Sequence, residues 1–145
     1  MTTLVTGASG FLGSHVAERL ARTGRPVRAL VRGSSDTSFL RTLPNVELVE
    51  GAIDDAASVR RALEGVTGIV HAAGLVKAKT PAEFMRVNAG GTETLVSAAL
   101  ERNGAVRRFV LVSSLAALRP SDASGTPVPE DAEPRPVTSY GKSKL

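Results

Sequence analysis

Short apolar stretches alternate with longer segments of helical period along the whole chain. Residues 2–6 (Thr-Thr-Leu-Val-Thr) read as a strand closed by Gly7. Past Gly13 the period changes. Leu12, Val16 and Leu20 recur every four residues with Ala17 and Ala21 beside them, predicting a helix with one apolar face that Gly24 stops. Pro26 to Val31 predicts a second strand, followed by a polar loop and a short helical piece before Pro44. A third strand covers 46–50, and Asp54-Asp55 lead into a helix to Leu63, where acidic groups suit the positive helix end. A fourth strand falls within Gly68 to Ala73. One long helix is expected from Pro81 to Arg102, burying Phe84, Val87, Gly91, Leu95 and Ala98, and Arg108 to Ser113 predicts a fifth strand.

Strands alternating with helices, the strands short and β-branched, are the pattern of an α/β fold: a doubly wound parallel sheet with helices on both faces. Five prolines between Pro120 and Pro136 predict an exposed loop. Structure resumes where Thr138 or Ser139 can cap a helix carrying Tyr140 and Lys144.

Composition narrows the function. The chain has no cysteine, which excludes disulfides and thiolate metal sites, and its two histidines, His15 and His71, lack ligand spacing, so no metal is expected. Aromatic residues are only 3%, so the core rests on Val, Leu, Ala and Ile. Net charge is +4, but the 14 arginines among 18 basic residues are scattered without interleaved aromatics, which argues against nucleic acid. No apolar run approaches the roughly 18 residues needed to span a bilayer, and the N-terminus enters structure without a signal peptide's pattern, so no membrane partner and a cytoplasmic location are expected.

The strongest local signal is Thr6-Gly7-Ala8-Ser9-Gly10-Phe11-Leu12-Gly13, set between the first strand and first helix. Gly7 permits a tight turn, Gly10 lets backbone N–H groups approach a pyrophosphate, and Gly13 lets the helix pack close to the sheet. The helix N-terminus then faces the anion. Dinucleotide sites that take NAD often carry a carboxylate at the end of the second strand. Here Arg32 stands there and no carboxylate follows until Asp36, which favours NADP over NAD through a charge-assisted contact to the 2'-phosphate, with Arg28 helping if it faces the same side.

Tyr140 and Lys144 are four residues apart, on one helical face. An ammonium beside a phenol favours its phenolate, so Tyr140 can take a proton from an alcohol or return one to a carbonyl, while Lys144 also reaches the ribose hydroxyls. Ser113 and Ser114 end the fifth strand at the carboxyl edge of the sheet, and alternation lets one of them enter the cleft to orient the substrate oxygen.

With its TGASGFLG loop, His71-Ala72-Ala73, Asn88-Ala89-Gly90-Gly91-Thr92, Val112-Ser113-Ser114 and Tyr140-Gly141-Lys142-Ser143-Lys144 in this order, the chain resembles the extended short-chain dehydrogenase/reductase family. That family includes NAD-dependent epimerases and dehydratases, dihydroflavonol reductases and hydroxysteroid dehydrogenases, and the resemblance covers all 145 residues. It implies a Rossmann-like fold, Ser114 as the catalytic serine, and Asn88 as support for the active-site framework and a proton-relay water. His71 would shape the nicotinamide side without acting as a base, or, the preferred reading, be simply a partly buried strand-end residue. Ala72 and Ala73 would border the cofactor. Ala52 stands where the family commonly places an adenine-contacting aspartate, leaving the backbone around Ile53 to define that pocket.

The resemblance implies an NAD(P)-dependent oxidoreductase acting on a small-molecule carbonyl or alcohol. The alternatives are a nucleotide-sugar epimerase or dehydratase with retained NAD, or a non-catalytic NADP-binding or redox-sensing protein. The sequence stops one residue after Lys144. The expectation is therefore an N-terminal NAD(P)-binding domain over residues 1–145, cut within the catalytic helix, without its substrate-binding region and inactive alone. Oligomeric state is left open.

Overall fold

The computed structural model describes residues 1–121 and 124–145. Five parallel strands, β1 (Thr2–Thr6), β2 (Val27–Val31), β3 (Val46–Glu50), β4 (Val66–His71) and β5 (Arg108–Leu111), form one sheet in the order β3-β2-β1-β4-β5. The chain builds outward from β1 to β3, then returns to lay β4 on the other side of β1. Strand order therefore reverses between β1 and β4, and the loops leaving their carboxyl ends diverge around a crevice.

Alternate strand residues feed two cores. Leu4, Leu30 and Ile69 pack with Val59, Ala62, Leu95 and Ala98 of α3 (Ala56–Ala62) and α5 (Gly91–Leu100). Val5, Ala29 and Val31 pack on the opposite face with Ala17, Ala21 and Leu40 of α1 (Phe11–Arg22) and α2 (Ser38–Arg41). Helices on both faces of a parallel sheet make this a Rossmann-like α/β fold. Among the described residues no helix is long and apolar enough to cross a membrane.

Several sequence expectations shift. Helix α1 begins at Phe11, ahead of Gly13, and its buried stripe is Gly13, Ala17 and Ala21. Leu12 is exposed, while Val16 and Leu20 are half-buried beside the core. Small residues let the helix axis approach the sheet, so the larger side chains flank the contact instead of forming it. Strand β4 starts two residues earlier than expected, and β5 stops at Leu111, although the Val112 amide still donates to the His71 carbonyl at 2.9 Å. Asp55 caps α3 through the Ala57 and Ser58 amides.

The expected helix from Pro81 to Arg102 is three pieces: α4 (Pro81–Phe84), a π-helical turn (Met85–Gly90) and α5. The π turn inserts one residue into the helical repeat, and Asn88, inside it, is buried. Residues 84, 87, 91, 95 and 98 keep an unbroken apolar spacing across the insertion, so periodicity does not reveal it. After β5 come a 3-10 turn (Leu115–Ala117), the proline-rich loop, and α6 (Ser139–Ser143), capped by the Thr138 hydroxyl on the Gly141 amide.

Candidate functional site

The crevice beyond β1 and β4 holds a cavity of about 350 Å³, reached by Thr6, Gly7, Ser9 and Gly10 of the glycine loop and by Ala72 and Ala73 after β4. Gly7 adopts a left-handed φ of 69°, and a β-carbon there would lie 2.7 Å from the Ala73 nitrogen. A β-carbon on Gly13 would lie 2.1 Å from the Gly7 carbonyl oxygen, so α1 packs on the loop only because residue 13 has no side chain. Gly10 is the N-cap of α1 and offers no side chain to the first turn, whose N–H groups are left for an outside acceptor. Phe11 and Leu12 begin α1 with exposed side chains, and neither they nor Gly13 lines the cavity. Their backbone, at an uncapped helix N-terminus beside the cavity, suits a dinucleotide pyrophosphate.

The far end is lined by Arg32 and Ser35 after β2, by Ala52, Ile53 and Asp54 after β3, and by Arg86 and Val87 of the π turn. Arg32 is exposed and has no ion-pair partner among the described residues. Arg28 is not its helper. Its guanidinium pairs with Glu47 at 2.8 Å and donates to the Ala62 and Glu64 carbonyls, closing the C-terminal end of α3 away from the cavity. Asp36 is committed to the Ser38 amide and hydroxyl, which hold its carboxyl below the usual carboxylate range. An ion pair between Asp54 and Arg86 joins the β3–α3 loop to the π turn along the cavity wall. In the sequence Asp54 marks a helix start and nothing pairs it with Arg86, because their partnership spans 32 positions.

Behind the cavity runs a buried polar chain. The Thr92 hydroxyl donates to the Asn88 carbonyl at 2.7 Å, so it faces His71 Nε2, 2.9 Å away, as an acceptor. His71 therefore carries its proton on Nε2, and Nδ1 accepts from the Thr6 hydroxyl at 2.6 Å. Thr6 Oγ1 in turn accepts the Ala73 amide at 3.2 Å. His71 is fully buried, more than a strand-end position suggests. Burial, and secondarily the Lys144 ammonium, push its pKa down to about 4. With both ring nitrogens occupied, it is a neutral framework residue.

Asn88 is equally enclosed. Its Oδ1 accepts the Leu75 amide at 2.7 Å, and its Nδ2 donates to the Leu75 carbonyl and to Ser143 Oγ. Ser143 Oγ donates to the Tyr140 carbonyl at 2.8 Å. One asparagine thus ties the π turn to both the loop after β4 and the helix carrying Tyr140.

Tyr140 lies half-buried on α6, its ring tilted against Phe84 with centroids 5.8 Å apart. Helix α6 ends at Ser143, so Lys144 stands at its C-cap and not on a continuing helical face. Lys144 is buried with its Nζ beside Gly74, which lines the cavity, and desolvation lowers its pKa. The two serines are distinct. Ser113 Oγ donates to the Lys144 carbonyl at 2.6 Å, which commits its proton. Ser114 Oγ accepts the Ala116 amide at 3.1 Å, leaving its own proton for another acceptor. Neither hydroxyl bonds to Tyr140 Oη, which has no hydrogen-bond partner among the described residues.

The description of the NAD-dependent epimerase/dehydratase family matches residues 3–145. A ceramide reductase of Caulobacter vibrioides is 43% identical over 117 residues, 81% of this chain and 36% of that protein. The chain thus spans a little over a third of that relative's length. A short-chain dehydrogenase/reductase superfamily protein of Agrobacterium tumefaciens, solved with bound NAD, is similar with a TM-score of 0.81 and 32% identity, over 99% of this chain and 42% of that one. The UDP-glucose 4-epimerase of Thermotoga maritima, solved with UDP-glucose, is similar with a TM-score of 0.87 and 26% identity, over 99% and 48%. With the glycine loop, the switch-point cavity and a match across nearly every residue, the chain belongs to the NAD-dependent epimerase/dehydratase family.

Proposed function

We propose that these residues are the nucleotide-binding and proton-transfer parts of an NADP(H)-dependent oxidoreductase that reduces a small-molecule carbonyl or oxidises the corresponding alcohol. Arg32 carries this reading: a guanidinium lining the cavity just past β2, without an ion-pair partner among the described residues, suited to a 2'-phosphate. The amides of Ser9, Gly10, Phe11 and Leu12 would hold the pyrophosphate, the backbone at Ala52 and Ile53 would border the adenine, and Ala72 and Ala73 would floor the site. When bound, the cofactor supplies hydride exchange with a substrate carbon. Lys144, buried beside Gly74, offers its ammonium to ribose hydroxyls and to the Tyr140 phenol. Tyr140 then gives a proton to the carbonyl oxygen or takes one from the alcohol, and the uncommitted proton of Ser114 orients that oxygen. Asn88 serves by holding α6 in place.

A second reading, a nucleotide-sugar epimerase or dehydratase retaining NAD, is supported by the likeness to the Thermotoga epimerase. The test supplies NADPH and a panel of carbonyl substrates to the full-length parent that carries these residues, and follows cofactor oxidation. Stoichiometric release of NADP+, abolished in Tyr140→Phe while cofactor affinity persists, supports the reductase. Conversion of nucleotide sugars with no net redox overturns it in favour of the epimerase.

A further inference from the structure

Strands β2 and β3 end side by side, with Val31 paired to Glu50 in the parallel register. Glu50 is the last residue of β3, exposed, and its carboxylate leans across onto the loop after β2. Its Oε1 stands 2.7 Å from where a β-carbon on Gly33 would be. A second cavity, about 210 Å³, opens at this point. Val31, Arg32 and Ser35 line both it and the larger cavity, so the two adjoin at the base of Arg32. Arg41 and Glu50 line the smaller one only. Among the described residues Glu50 forms no ion pair with either arginine. Groups of opposite sign thus face one small volume without neutralising each other.

Those groups ask for different ligands. Guanidinium groups favour a phosphate dianion. An ionised carboxylate only accepts hydrogen bonds, so it suits a ribose diol and repels a phosphate. Arg32 and Arg41 would draw a 2'-phosphate, and Glu50 would oppose it while accepting free 2'- and 3'-hydroxyls.

We infer that Glu50 is a specificity-determining residue of the cofactor site, a ribose-binding carboxylate delivered from β3 in place of the one absent from the end of β2. This rests on the reading of the cleft as an NAD(P) site and deepens it. The balance of Arg32 against Glu50 sets the cofactor preference, and the chain takes both dinucleotides with a modest bias, not a strict choice.

The test titrates NADP+ and NAD+ into the wild-type chain, Glu50→Gln, Glu50→Asp and Arg32→Ala by calorimetry at one ionic strength, with 2'-AMP and AMP as smaller probes. Circular dichroism and thermal midpoints establish that the variants are folded. Glu50→Gln removes the charge at constant shape, so it tightens NADP+ and 2'-AMP about tenfold and weakens NAD+ and AMP. Glu50→Asp keeps the charge and gains no NADP+ affinity. Arg32→Ala moves both probes the opposite way. Glu50→Gln shifts of equal sign and size for the two dinucleotides, or no shift in either, overturn the assignment of Glu50 and leave the cofactor site standing. Binding of neither dinucleotide to the wild-type chain overturns the cofactor site and this inference with it.

Discussion

His71 Nδ1 lies 2.6 Å from Thr6 Oγ1, a contact that joins the last residues of adjacent strands β1 and β4 directly behind the glycine loop. The ring is neutral, with its proton directed at Thr92. Because burial lowers its pKa from 6.5 to about 4, the unfolded chain binds a proton across that interval and the folded chain does not. The resulting stability is fully present above pH 6.5 and is lost as pH falls toward 4. Such a shift corresponds to about 3 kcal/mol at most. Urea denaturation between pH 7 and 4 should show this loss, and His71→Gln should remove that component. Asp36, Asp55 and Glu101, held below their usual values by hydrogen bonds, add their own losses lower on the scale. An unchanged pH dependence in His71→Gln would contradict the buried neutral ring.

Gly13 and Gly10 belong to the same loop and should respond differently to alanine. A methyl on residue 13 meets the Gly7 carbonyl oxygen at 2.1 Å, whereas one on residue 10 meets it at 3.2 Å. Gly13→Ala should cost about 1–3 kcal/mol by overpacking, and should also weaken dinucleotide binding because the loop must shift. Gly10→Ala should retain most of the stability. Denaturation midpoints compared with calorimetric affinities separate the two, and equal stability losses would sink the distinction.

Arg28 near the start of β2 and Arg32 just past its end do separate work. Arg28 closes the last carbonyls of α3 and pairs with Glu47, so Arg28→Met should lower stability by about 1–2 kcal/mol and leave NADP+ affinity as it was. Arg32→Ala should weaken NADP+ with little change in the denaturation midpoint. A loss of NADP+ affinity in a folded Arg28→Met protein would show that its guanidinium reaches the cofactor.

The pattern of apolar residues made the five strands and most helices legible, because a buried parallel strand needs a short β-branched run and a covering helix needs a repeating face. The glycine loop was equally legible, since its spacing encodes a local turn. What the pattern hid was nonlocal. The π turn leaves the apolar spacing across Phe84, Val87 and Gly91 intact, so only the backbone over Met85–Gly90 reveals it. The side on which Arg28 works stayed open because its partners, Glu47, Ala62 and Glu64, are brought to it by β3 and the end of α3. Glu50 looked like an ordinary strand-end residue until the β2–β3 register set it beside Gly33. Gly141, unremarked within the Tyr-Lys segment, sits where a β-carbon would come 2.0 Å from the Ala116 carbonyl oxygen, so α6 rests directly on the 3-10 turn.

That contact brings Ser113 and Ser114 close to α6 while giving them opposite duties. The Ser113 hydroxyl holds the Lys144 carbonyl at 2.6 Å and so fixes the C-terminal end of α6. Ser113→Ala should therefore read as a stability loss of about 1 kcal/mol and faster amide exchange near Lys144. Its effect on turnover should be the smaller of the two. Ser114 accepts the Ala116 amide and keeps a proton to donate, so Ser114→Ala removes both a turn cap and the proposed contact to the substrate oxygen. Turnover should fall about 10²-fold, the usual cost of losing one donor to an oxygen that gains charge, with cofactor affinity preserved. Ser114→Thr keeps the hydroxyl and should recover part of the rate, which a purely structural cap would not require. Steady-state kinetics of the full-length parent on any substrate found by the cofactor-linked assay, paired with amide exchange on both alanine variants, decide the matter. A larger loss of kcat in Ser113→Ala than in Ser114→Ala, with α6 exchange unchanged in both, would transfer the catalytic assignment to Ser113.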